Sequence, residues 1–139
     1  MKFLGRLIPP SKGEKYWSAE VPELGVFTQG KTEKEAHAMI IDALEFLADE
    51  KDFKVDLQPT STHKFSVTSS NLRPLFALYL QTMRLESELT IQEVADRLGL
   101  ASKNGYAQYE QGKALPSIEL LSEFIKAMRP GKDLYLKVG

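Results

Sequence analysis

The sequence contains no cysteine. That excludes a disulfide framework, a thiolate metal centre and a cysteine nucleophile. Histidine is nearly as scarce, and the two present, His37 and His63, stand too far apart for a zinc-ligand spacing. No apolar run is long enough to cross a bilayer, and the opening "MKFLGRLIPP" has none that would serve as a secretory leader. The expected location is therefore the cytoplasm, with no membrane partner. There is no glycine-rich phosphate loop, and no serine, histidine and acid fall at a suggestive spacing. No catalytic residue, metal site or cofactor is expected, and the chain does not read as an enzyme.

An excess of either charge is also missing: 18 Lys and Arg face 19 Asp and Glu, for a net charge of −1. The halves nevertheless differ. Residues 1–60 carry 8 basic and 11 acidic residues, a balance of −3, and residues 61–139 carry 10 and 8, a balance of +2. Different partners for the two halves would account for that difference. At 139 residues the chain suits one ordinary domain or two small ones.

In the first half, "FLGRLI" reads as a strand and "PPSKGEK" as a turn. The run Tyr16–Val21, "YWSAEV", alternates as a half-buried strand does, with Trp17, Ala19 and Val21 inward. "PELG" turns the chain into a third short strand, Val26–Gln29. "TEKE" then opens a helix, with Thr32 as N-cap and Glu35 completing a capping box. Ala36, Ile40, Ala43, Leu44 and Leu47 form its apolar stripe, with Met39 alongside, and the helix runs to about Asp49. A fourth strand is expected over Phe53–Gln58. Asp42, Glu45 and Asp49 fall on the face opposite the stripe, the pattern of a solvated surface rather than of converging metal ligands.

The segment "YWSAEVPELGVFTQGKTEKEAHAMIIDALEFL" resembles the N-terminal domain of HicB antitoxins. That family shows an aromatic-led strand, a V-P-[DE]-L-x-G turn, a strand ending T-x-G-x-T, and "EA" opening an amphipathic helix. All four parts occur here in order, within residues 1–58; Glu23 stands where Asp is more usual, and Val26 follows the turn glycine. The resemblance implies a truncated RNase H-like sheet of order β-β-β-α-β, without nuclease chemistry. It also implies a partner, a HicA-like toxin, which is a small basic ribonuclease whose active site the antitoxin covers. An acidic first half suits such a partner. The toxin-binding surface is expected at an exposed edge around Tyr16, Glu20 and Glu23.

Residues 59–70, "PTSTHKFSVTSS", read as a linker in which residues 64–67 add a short strand. From Leu72 the pattern is helical. Pro74 suits a first helical turn. Thr90 and Glu93 form a second capping box, with Leu89 and Val94 at the hydrophobic-staple positions and Gly99 ending the helix. Ser102 caps a short helix over residues 103–111, and Gly112 closes it. The pair Asn104-Gly105 is a hairpin signal, yet its flanks are helical rather than strand-like. Ser117 opens a last helix, and "DLYLKV", Asp133–Val138, alternates as a terminal strand.

Two short helices joined by a tight glycine turn make a helix-turn-helix. "TIQEVADRLGL" followed by "YEQGKALPS" resembles the Cro/Xre family, T-x-x-E-[VL]-A-x-x-[LV]-G-[LV] and [YL]-E-x-G-x-x-x-P-S. The resemblance places Ser102, Lys103 and Asn104 at the start of a recognition helix, with Gln108 one turn on along the same face. It gives Lys113 a phosphate contact, and makes Gln92 the neighbour of a position, Ile91, where many members carry a phosphate-binding Gln. It also implies a structural Arg84–Glu110 salt bridge.

The resulting expectation is an α+β chain: residues 1–58 bind toxin, 59–70 link, and 71–139 form an otherwise all-α helix-turn-helix domain with a dimerising C-terminal strand. Such a chain is an autoregulating antitoxin, which masks an mRNA-cleaving toxin and represses its own operon. Its partners would be the toxin, operator DNA and a second copy in a homodimer or higher oligomer. The alternative is a stand-alone transcriptional regulator whose first domain senses a ligand.

Overall fold

The computed structural model describes residues 1–139. Alternation in the first half is realised as an antiparallel sheet: β1 (Phe3–Ile8), β2 (Trp17–Val21), β3 (Val26–Gly30), β4 (Asp56–Ser61) and β5 (Lys64–Thr68), ordered β3-β2-β1-β5-β4. In β1, Phe3, Gly5 and Leu7 face the core while Leu4, Arg6 and Ile8 face out, as a period of two requires. A single 3-10 turn, Pro22–Leu24, joins β2 to β3. Helix α1 (Glu33–Ala48) covers one face. The Thr32 hydroxyl accepts from the Glu35 backbone N–H at 3.0 Å, but Glu35 makes no return contact, so only half of that capping box forms. Gly30 is needed where β3 meets α1, because a Cβ there would lie 2.5 Å from the backbone nitrogen of Ala36. Of the expected stripe, Ala36, Ile40 and Leu44 are fully buried, whereas Met39 and Leu47 remain about half exposed.

The expected linker is part of the sheet. Residues 59–61 complete β4, and β5 lies between β1 and β4, pairing Phe3 with Val67 and Gly5 with Phe65. The sheet is therefore five-stranded, β-β-β-α-β-β. The strand expected over Phe53–Gln58 is displaced along the chain to Asp56–Ser61, because β4 is an edge strand, almost wholly solvent-facing, and lacks the inward apolar set that would mark its far end. The second half follows as α2 (Arg73–Glu86), α3 (Ile91–Arg97), α4 (Asn104–Glu110) and α5 (Ile118–Met128). This is an α+β chain. The two halves are not beads on a string, since Phe76 and Tyr79 of α2 each stack against Phe3 of β1 at 5.7 Å. One continuous apolar core runs through both.

The expected strand over Asp133–Val138 is not formed. No other strand of the chain lies beside it, and an unpaired strand cannot satisfy its backbone. Its first residue is fixed nonetheless: the Asp133 carboxylate accepts from the Leu134 N–H at 2.8 Å and the Ser122 hydroxyl at 3.2 Å. These bonds hold the Asp133 carboxyl below the usual carboxylate range. Beyond Leu134, Tyr135, Leu136 and Val138 are exposed. No helix is long and apolar enough to cross a membrane.

His37 makes the fold sensitive to pH. Its ring packs edge-on against Phe65 at 5.0 Å, and its buried Nε2 has no hydrogen-bond partner. Burial lowers its pKa, and Glu33 opposes that only in part. A lowered folded-state pKa means that the unfolded chain binds the proton more tightly. Stability should therefore fall as pH drops through the ordinary histidine value of 6.5. Urea unfolding at pH 7.5 and 5.5 measures the drop, and His37→Phe should reduce it. An equal drop in the variant would assign the effect to other groups.

Candidate nucleic-acid interface

The recognition-helix geometry is built by three helix ends. At Thr90 the capping box is complete: the hydroxyl accepts from the Glu93 N–H at 3.1 Å, and the Glu93 carboxylate accepts from the Thr90 N–H at 3.2 Å. The end of α3 is closed by Gly99 at φ +72°, with the Leu100 N–H donating to the Ala95 carbonyl at 3.0 Å. A left-handed glycine turns the chain there at little steric cost. The Ser102 hydroxyl then accepts from the Asn104 N–H at 3.2 Å, and α4 begins.

Helix α4 has a buried side and a wet side. Tyr106 and Ala107 face inward, Tyr106 stacking edge-on against Phe124 at 5.1 Å. Ser102, Lys103, Asn104, Gln108 and Lys113 are all exposed. Asn104, Gln108 and Lys113 share a shallow hollow of about 460 Å3 with Ala107 and Gln111. Gln111 was not among the expected contacts, although its i+3 spacing from Gln108 places it on the same side. Ser102 and Lys103 lie outside this hollow, in the turn leading into α4. Gln92 also stands apart, its amide donating to Asp96 along α3 at 2.8 Å.

Gly105 lies within α4, not in a hairpin. A Cβ at this position would meet only a Leu100 methyl, at 3.2 Å. That methyl ends a flexible, partly exposed side chain. Gly105→Ala should therefore let Leu100 rotate aside and gain up to about 1 kcal/mol of helix propensity. Thermal denaturation reads the gain, and a fall in Tm would mean that Leu100 cannot move.

A buried ion pair holds α4 to α2. Arg84 Nε donates to Glu110 Oε2 at 2.8 Å and Nη2 to Oε1 at 2.9 Å, while Nη1 donates to the Leu89 carbonyl at 2.9 Å. The two side chains are only 12% and 5% exposed. Their hydrogen bonds raise the Arg84 pKa further. Burial, followed by the neighbouring Glu110 carboxylate, pushes the Tyr106 phenol far above its usual range, so it remains neutral. Its hydroxyl points at Met128 Sδ, 3.8 Å away.

Residues 75–133 match a family model described as a helix-turn-helix domain. That region is a helix-turn-helix domain. Its helix pair is α3 and α4, and a helix-turn-helix suggests a DNA-binding regulator. The match stops at Asp133, before the exposed tail. No curated protein matches the chain.

The residues expected to meet a toxin are not gathered by the structure. Strand β2 is interior to the sheet, between β3 and β1, so Glu20 does not lie on an edge. Its carboxylate pairs with Arg6 across the strands. Glu23 belongs to the 3-10 turn and faces the crevice beside Tyr79 and Arg129. Tyr16 precedes β2 and is half exposed. Local alternation marks a strand but does not say which strands flank it, and here β3 takes the edge.

Proposed function

We propose that this protein is a HicB-type antitoxin: its first half masks a HicA-like mRNA-cleaving toxin and its helix-turn-helix domain represses the operon encoding both. The observation that carries the reading is the union in one chain of an acidic, HicB-like sheet-and-helix unit with a helix-turn-helix domain. The exposed Lys103, Asn104 and Gln108 supply donors for guanine and adenine edges, and Lys113 supplies a phosphate contact. The chain would act without catalysis or cofactor, in the cytoplasm. It would work as a dimer, with the Asp133–Val138 segment pairing as a strand between copies and so setting two recognition helices on adjacent half-sites.

Two measurements test this. Fluorescence anisotropy with the DNA upstream of its own gene should show binding stronger than to a scrambled duplex. An RNA-cleavage assay with the neighbouring gene product should show inhibition when the chain is added in equal amount. Unaffected cleavage would refute the antitoxin role and leave a stand-alone regulator. A ligand-sensing regulator has one feature in its favour, the crevice of about 230 Å3 between the 3-10 turn, α2 and Arg129. That volume falls below the roughly 300–1,000 Å3 of typical small-molecule sites.

A further inference from the structure

The two edges of the sheet are built differently. The β4 edge is blunted by Pro59 and by a register irregularity between Pro59 and Ser61, devices that discourage pairing with another chain. The β3 edge has neither. Val26–Gly30 contains no proline, lysine or bulge, and pairs with β2 in unbroken register from Val21–Val26 to Trp17–Gly30. Its outer side therefore presents regular, unpaired backbone donors and acceptors.

Beside this free edge the surface is apolar. Phe27 is 58% exposed, Met39 44% and Phe46 82%. With Thr28, Gln29, Asp42 and Ala43 they line an open groove of about 810 Å3 between β3 and α1. Met39, Asp42 and Phe46 recur at helical spacing along α1, so one face of the helix is offered to whatever lies there. The chain gives α1 four carboxylates, Glu33, Glu35, Asp42 and Glu45, against a single Lys34. A contiguous exposed apolar patch marks an interaction site, and an open edge beside it marks strand addition as the mode.

We propose that β3 and the α1 groove form the docking surface for the toxin, which adds a strand to β3 and lays apolar and basic side chains over Phe27, Met39, Asp42 and Phe46. This rests on the antitoxin reading and moves its contact surface away from Tyr16, Glu20 and Glu23. Glu33 and Glu45 turn toward His63 and Lys54, while Asp42 lines the groove and Glu35 shares its helical face, and that acidic face favours a basic occupant. A second copy docked edge to edge would bring another Glu35–Asp42 face against this one, whereas a basic ribonuclease complements it.

Calorimetric titration of the full chain with the purified neighbouring gene product, bearing an inactivating substitution, tests the proposal. Phe46→Glu and Phe27→Glu should each weaken binding at least tenfold, and Asp42→Lys should do so most strongly at low salt. Tyr16→Ala should remain within about twofold. All four positions are exposed, and unchanged DNA binding by each variant would confirm that it folds. Tight binding by Phe46→Glu and Phe27→Glu overturns the surface while leaving the antitoxin reading intact. No binding by the unmodified chain overturns both. If Phe46→Glu instead dissociates a dimer in sedimentation without changing toxin affinity, the groove is an interface between copies and the proposal fails.

Discussion

Glu110→Ala should destabilise the protein by about 3–5 kcal/mol, because it leaves the Arg84 guanidinium buried with the Leu89 carbonyl as its remaining partner. At roughly 3 °C per kcal/mol for a chain of this size, Tm should drop by about 10 °C. The loss exceeds what a surface pair would show because both side chains are largely out of water. The double variant Arg84→Met with Glu110→Leu should recover much of it, since two apolar groups leave no unpaired charge. A loss under 1 kcal/mol in Glu110→Ala would mean that water reaches Arg84 and solvates it.

Lys103→Ala combined with Asn104→Ala should weaken operator binding by about 2–6 kcal/mol, at 1–3 kcal/mol for each lost base contact. The lower bound is roughly a thirtyfold rise in Kd at fixed salt. Both residues are exposed at the start of α4, so the fold should be untouched. Lys113→Ala should act differently, lowering the salt slope by about 1 while affecting all sequences alike. Gln92→Ala should matter little, as its amide is held by Asp96. Unchanged affinity of the double variant would remove α4 from the major groove.

The parts legible in the sequence are those fixed by local chemistry. Thr90 and Glu93 lie three residues apart and close their box within one turn. Gly99 and Gly112 both take positive φ just past helix ends. The Arg84–Glu110 pair spans 26 positions, and nothing local announces it; only the family resemblance links its two members. Thr32 and Glu35 carry the same signature as Thr90 and Glu93, yet the Glu35 side chain does not return to Thr32. A capping box is thus permitted by spacing and completed by surroundings. Strand neighbours were less accessible. The polar second half of β4, residues 59–61, reads as linker, and interior β2 reads as an edge, because order within a sheet depends on pairings remote in sequence. Met39 and Leu47 read as core from their helical spacing, yet the fold leaves both about half uncovered.

The shared helix α2 bears on how such proteins diversify by recombination. The natural crossover point, around Ser69–Asn71, lies between the last strand and α2. Exchange there would bring a new DNA-reading module and discard Phe76 and Tyr79 together. Phe3 would then lose both aromatic neighbours on the sheet. A fused replacement module must therefore carry a first helix whose inner face already fits this sheet, or the hybrid exposes its own seam. On the proposed DNA-reading role of α4, operator specificity changes more easily by substitution along α4, downstream of the seam, than by swapping the module whole.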